Sequence, residues 1–187
     1  MYKKDERKRL ALKKTASTNH SSEIKKEIEK AEKTKEGVSC CIINKLLTGI
    51  PYFIGCFAQD QLSSITFDSF PLSLIVNFDT TSNSGSHWIA LYIDKRSVEV
   101  FDSLGFQLNR WPSFPSRIIR FIAELTFNRN LIISSEIQPE DSFLCGFYCI
   151  YFIKSRLSHS FHSVLDNFSI FLCHNDEILK SLMCSIE

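Results

Sequence analysis

Residues 87–102 read HWIALYIDKRSVEVFD. Two apolar, β-favouring runs, 87–93 and 98–101, flank the polar tetrapeptide Asp94-Lys95-Arg96-Ser97. Runs of this length around a short polar turn predict a β-hairpin. Upstream, Leu72–Phe78 (LSLIVNF) predicts another strand, and downstream Leu131–Ser135 predicts a further one. Between the hairpin and that strand, Pro115-Ser116 opens a helix with Ile118, Ile122 and Leu125 on one face and Ser116 in the N-cap position. A polar loop over Gln138–Leu144 leads into Cys145–Leu157 (CGFYCIYFIKSRL), which is long for a strand and reads as a largely buried helix. A short surface helix is expected over Asp176–Ser185. Helices and strands in this order predict an α+β fold, a mixed sheet packed by helices.

The N-terminal part differs in character. Residues 1–36 carry 12 Lys/Arg against 7 Asp/Glu, a balance of +5, while the remaining residues carry 10 against 14, a balance of −4. The first 22 residues are polar, basic and rich in Ser and Thr, and are expected to be disordered. Over 23–36 only Ile24, Ile28 and Ala31 fall at helical spacing. That thin stripe predicts a solvated or marginal helix. Residues 1–36 are therefore expected to form a tail, and 37–187 one folded domain. Residues 38–47 (VSCCIINKLL) predict a short docked helix, ended by Thr48-Gly49-Ile50-Pro51.

Composition narrows the functional classes. Hydrophobic residues make up 44% of the 187, and 16 of the aromatics are Phe, enough for a packed core. Seven cysteines, an odd number without paired CxxC motifs, argue against a disulfide framework or a Cys-rich zinc site. They predict free thiols and an intracellular, reducing compartment. The charged N-terminus lacks the apolar core of a signal peptide, and no apolar run approaches membrane-spanning length, so no membrane association is expected. His159, His162 and His174 have no metal-ligand spacing and read as surface residues.

Three polar residues stand at the ends of apolar elements: His87 opens a strand, Asp102 closes its partner, and Cys145 opens the buried helix. A thiol is mostly protonated at neutral pH. An adjacent imidazole can take its proton, a helix N-terminus favours the thiolate, and a carboxylate on the other ring nitrogen orients the imidazole. The backbone N–H of Cys145 and the side-chain amide of Gln138 are candidates for an oxyanion hole. Cys149, one turn after Cys145, reads as core; Trp88 reads either as core or as a wall of the cleft; Asp141 reads as a loop cap.

The blocks GSHWIALYID, VEVFDSLGF and QPEDSFLCGFYC resemble the His, acid and Gln…Cys blocks of the adenovirus protease (adenain) superfamily, in that family's chain order. IPYFIGCF and SLIVNFDTTSNSGSHW resemble two further segments of the adenoviral branch, and the resemblance spans about residues 40–158. SUMO-deconjugating proteases share the broader motif set. Adenoviral enzymes commonly carry Glu where Asp102 stands, whereas Asp is usual in the deconjugating enzymes. No cysteine lies between Cys56 and Cys145, so the residue through which adenain is tethered to its activating peptide is missing.

The resemblance implies a papain-like cysteine endopeptidase with His87, Asp102, Gln138 and Cys145 as its site, cleaving near glycine. Its protein substrates would be capsid or other structural precursors of a virus or a virus-like DNA transposon. It further implies a monomer located in the host nucleus or virion. No cofactor is needed for the chemistry; a peptide or DNA activator is compatible with it, and the basic tail (KKDERKRLALKK) is a candidate DNA contact or nuclear localisation signal. Two alternatives remain open at this level: a deconjugating protease for a ubiquitin-like modifier, and an inactive fold serving as a DNA- or capsid-binding module.

Overall fold

The computed structural model describes residues 22–83, 85–105 and 114–186; the basic tail over 1–21 lies outside them. The elements run α1 (22–34), α2 (Cys40–Leu46), β1 (Phe53–Ala58), a 3₁₀ turn (Gln59–Ser64), β2 (Leu72–Asn77), β3 (Trp88–Ile93) and β4 (Ser97–Phe101). They continue with α3 (Ser116–Leu125), β5 (Asn130–Ile133), α4 (Cys145–Ser155), α5 (Phe161–Leu165), a 3₁₀ turn (Leu172–His174) and α6 (Asn175–Ser185). The chain is α+β. Its sheet has the order β1-β2-β3-β4-β5, with β1/β2 and β4/β5 parallel and the two central pairs antiparallel, and is therefore mixed.

The hairpin forms as its sequence predicts. Asp94 Oδ1 accepts from the backbone N–H of Arg96 (2.6 Å) and Ser97 (2.7 Å), and the Asp94 N–H donates to the Ser97 carbonyl. An aspartate that satisfies the amides two and three residues on is a local turn-former.

Side chains alternate between two apolar layers. Ile75, Trp88, Ala90 and Phe101 face a cluster built with α1, α2, α4 and α6. Leu74, Val76, Ile89, Leu91, Val98 and Val100 face a second cluster closed by Ile118, Phe121, Ile122 and Leu125 of α3. Strands covered on both faces have no polar side, which is why LSLIVN and WIALYI read as nearly unbroken apolar runs. Every residue of α4 is buried, so it too lacks a polar stripe.

Four details differ from the sequence expectation. The stripe on α1 is narrow but wholly buried: Ile24, Ile28 and Ala31 join the core, and Glu23 and Glu32 pair with Lys45 and Lys180. Burying two isoleucines contributes about 3–6 kcal/mol as an upper bound, enough to hold a helix of marginal propensity. Residues 22–34 thus belong to the folded body rather than to a solvated tail. In α3, Pro115 occupies the N-cap position without a side-chain bond, and Ser116 is already helical; proline's fixed φ suits the entry to a helix. The last helix is not confined to the surface, since Asn175, Leu179 and Met183 are buried. The final strand ends at Ile133: the Ser134 N–H still donates to the Val100 carbonyl, but it is the Ser134 hydroxyl that bonds the Asp102 main chain.

Glu99 on β4 and Arg156 after α4 form a bidentate pair, with Nε–Oε2 at 2.6 Å and Nη2–Oε1 at 3.0 Å, and the guanidinium lies 4.3 Å over the Tyr92 ring. Glu99→Ala leaves that guanidinium without its carboxylate. Stability should fall by about 3 kcal/mol, read as a lower denaturant midpoint at unchanged slope. Among the described residues no helix is long and apolar enough to cross a membrane, and no cluster of three or more His, Cys, Asp or Glu could hold a metal ion.

Candidate active site

The hairpin register pairs Ala90 with Phe101, which continues as Ile89 with Asp102. His87 and Asp102 are thus diagonal neighbours on one face rather than directly opposite, a separation that a long side chain spans. His87 Nε2 lies 2.8 Å from Asp102 Oδ1. A carboxylate only accepts, so the hydrogen sits on Nε2 and Nδ1 is left for another partner. The Cys145 side chain is a further partner of His87, acting on the imidazole through hydrogen bonding and charge.

Each member is held by its own surroundings. Asp102 is fully buried; its Oδ1 also accepts from the Leu104 N–H at 3.0 Å. Its main chain is clasped by Ser134 Oγ, which accepts from the Asp102 N–H (2.8 Å) and donates to its carbonyl (2.7 Å). The Gly105 N–H closes a turn back onto the Asp102 carbonyl. The turn-like DSLG and the role of Asp102 beside His87 are two properties of one segment. The His87 ring meets the Phe78 ring edge to face at 4.9 Å, and Phe114 backs Phe78.

Burial by itself would push the His87 imidazole down. Hydrogen bonds and charge interactions with Asp102 and Cys145 outweigh it and raise the group to about 10 from its ordinary 6.5.

Cys145 is the first residue of α4, where backbone N–H groups lack helical acceptors and the helix dipole is positive. Gly146 follows because nothing larger fits: a Cβ there would lie 2.3 Å from Val38 Cγ1 and 3.2 Å from Trp88 Cδ1. Trp88 is core, buried and donating its indole N–H to the Val38 carbonyl at 3.0 Å. Cys149 is fully buried behind Cys145 and donates to the Trp88 carbonyl.

Gln138 sits on the loop leading to α4 and is 1% exposed. Its Oε1 accepts from Ser103 Oγ at 2.6 Å and its Nε2 donates to the Ser142 carbonyl at 2.9 Å. Ser103 follows Asp102 directly, so one turn serves both His87 and Gln138.

The residues that hold this loop carry no distinctive sequence signal. Asp176 Oδ1, on α6, accepts from Ser142 Oγ (3.0 Å) and Tyr148 OH (2.9 Å), and Asn175 Nδ2 donates to the Ile137 carbonyl (2.7 Å). Burial raises the Asp176 carboxyl above the usual range despite these bonds. The only local signal was a polar Asn-Asp pair at the start of an amphipathic segment, which also describes an ordinary helix start. Asp141 lies exposed in the turn before Ser142, and His159, His162 and His174 are exposed.

No protein-family model and no curated protein matches the chain. Among solved structures, the central domain of the uncharacterized Lpg1148 protein from Legionella pneumophila overlaps 79% of this chain and 94% of its own, at a TM-score of 0.49 and 10% identity. A protease of ASFV overlaps 61% of this chain and 43% of its own, at a TM-score of 0.43 and 21% identity. The Legionella pneumophila effector protein RavZ overlaps 71% of this chain and 48% of its own, at a TM-score of 0.32 and 15% identity. This chain spans less than half the length of each of the last two.

Proposed function

We propose that the protein is a cysteine endopeptidase in which Cys145 is the nucleophile, His87 the base, Asp102 the residue orienting the imidazole and Gln138 an oxyanion donor. The observation that carries this reading is one buried histidine that meets Asp102 through Nε2 at 2.8 Å and interacts with the side chain of a cysteine that opens a helix.

In this mechanism His87 takes the Cys145 proton, and the thiolate sulfur attacks a peptide carbonyl carbon. The C–S bond forms as the carbonyl π pair moves onto oxygen. The resulting oxyanion is met by the Cys145 N–H and the free Nε2 hydrogen of Gln138. When the oxyanion collapses the C–N bond breaks, and the imidazolium protonates the departing amine. A thioester remains on Cys145. Water, deprotonated by His87, then cleaves it to a free carboxylate and restores the thiol. No cofactor enters any step.

The finer assignment rests on the family resemblance of the sequence blocks around these residues. It comprises a papain-like fold, cleavage near glycine, and structural precursors of a virus or virus-like element as substrates. Activation by DNA through the basic tail rests on charge alone, and that tail lies outside the described residues. Seven free cysteines favour a reducing compartment.

The test is site-resolved alkylation with iodoacetamide at neutral pH. Cys145 is expected to react well ahead of the exposed Cys41, Cys173 and Cys184 although it is 7% exposed, and His87→Ala should remove that advantage. Labelling that follows exposure alone, unchanged by His87→Ala, would refute the assignment.

A further inference from the structure

The Gln138 amide is gripped at both ends, by Ser103 Oγ on its oxygen and by the Ser142 carbonyl on its nitrogen. A carbonyl oxygen only accepts, so turning the amide end over end would set Oε1 against the Ser142 oxygen, acceptor against acceptor. The opposite grip is equally close. Ser103 is fully buried, and its own carbonyl accepts the backbone N–H of both Ile137 and Gln138 at 2.8 Å. One serine therefore fixes the main chain and the side chain of the same glutamine. An amide nitrogen carries two hydrogens; Ser142 takes one, and the other is left over.

We propose that Ser103 is a positioning residue of the oxyanion hole: its hydroxyl anchors Gln138 Oε1 so that the remaining Nε2 hydrogen faces the reacting carbonyl oxygen at Cys145. The proposal rests on the cysteine-protease reading. Ser103 touches no reacting atom and acts only through Gln138. Without the hydroxyl, Oε1 is a buried acceptor lacking its partner, and the amide turns to find another. An oxygen turned into the cleft would repel the oxyanion that the amide nitrogen stabilises.

The experiment compares wild type, Ser103→Ala, Gln138→Ala and the double variant in two reactions. One is hydrolysis of carbobenzoxyglycine p-nitrophenyl ester, which passes through an oxyanion. The other is alkylation of Cys145 by iodoacetamide, which does not. Ser103→Ala should lower kcat by roughly 10- to 100-fold, less than outright loss of a donor, with KM nearly unchanged. Cys145 alkylation and its pH profile should stay at wild-type values. In the Gln138→Ala background the serine substitution should add nothing, and Ser103→Cys, which retains a weak donor, should recover part of the loss.

Turnover by Ser103→Ala at the wild-type rate overturns the proposal, as does a further loss in the Gln138→Ala background. Parallel loss of alkylation also overturns it, because Ser103 would then be supporting the His87–Asp102 segment instead. Wild type that neither hydrolyses the ester nor alkylates preferentially at Cys145 rejects the protease reading itself, and Ser103 with it. Active wild type with an indifferent Ser103→Ala rejects Ser103 alone.

Discussion

His87→Ala is expected to lower ester and peptide turnover by on the order of 10⁴- to 10⁶-fold, the range seen when one member of a cooperating catalytic set is removed. The size follows from the number of tasks on one ring. In the proposed mechanism the imidazole takes the thiol proton, returns a proton to the leaving amine and activates the deacylating water. Its hydrogen bond to Asp102 and its interaction with Cys145 would hold it ready for all three. The same contacts set a pH dependence. His87 is raised from 6.5 to about 10, so the protonated ring and its partners stabilise the fold fully below pH 6.5 and lose that contribution as pH climbs through about 10. Amide hydrolysis, which needs the imidazolium as acid, should decline over that alkaline limb. Alkylation of Cys145 needs no such acid and should not decline there. Coincident alkaline limbs for the two reactions would contradict this division of labour.

Gln138→Ala is expected to reduce kcat by about 10²- to 10³-fold with little change in KM, because an oxyanion donor acts in the transition state more than in the ground state. The residue is buried and bonded at Oε1 and Nε2 before any substrate arrives, so no reorganisation is needed during reaction. Cys145 should still be alkylated by iodoacetamide at close to the wild-type rate. A loss of alkylation equal to the loss of turnover would show that Gln138 supports the site structurally and not the oxyanion.

Much of this arrangement was legible along the chain because local rules and the site share segments. The hairpin was readable from two apolar runs about an Asp-led turn, and it carries His87 and Asp102 at its open end. The helix opening at Cys145 was readable because complete burial leaves it apolar throughout. Other parts depend on contacts distant in sequence. Helix α1 has only three core positions, and its stability comes from the apolar layer and the ion pairs that it meets. Strand β1, FIGCFA, is apolar throughout but is interrupted by Gly55 at positive φ, where its pairing with β2 shifts register; a glycine inside a short run weakens the strand signal in sequence. Ser103, Ser134, Ser142, Asn175 and Asp176 are small polar residues in turns or at a helix end, indistinguishable in sequence from others that face water. Their meaning lies in bonds that span 4 to 38 residues.

The central claim is that Cys145 forms a covalent acyl intermediate. Mixing the protein with carbobenzoxyglycine p-nitrophenyl ester, quenching in acid within the first turnover and locating the acyl group by peptide mass spectrometry tests it directly. The account predicts one carbobenzoxyglycyl group on Cys145, labile to hydroxylamine as a thioester is, and absent from Cys145→Ser digested in parallel at that position as a thioester. Acylation spread over Cys41, Cys173 and Cys184, or hydrolysis that persists undiminished in Cys145→Ser without any thioester, would contradict it.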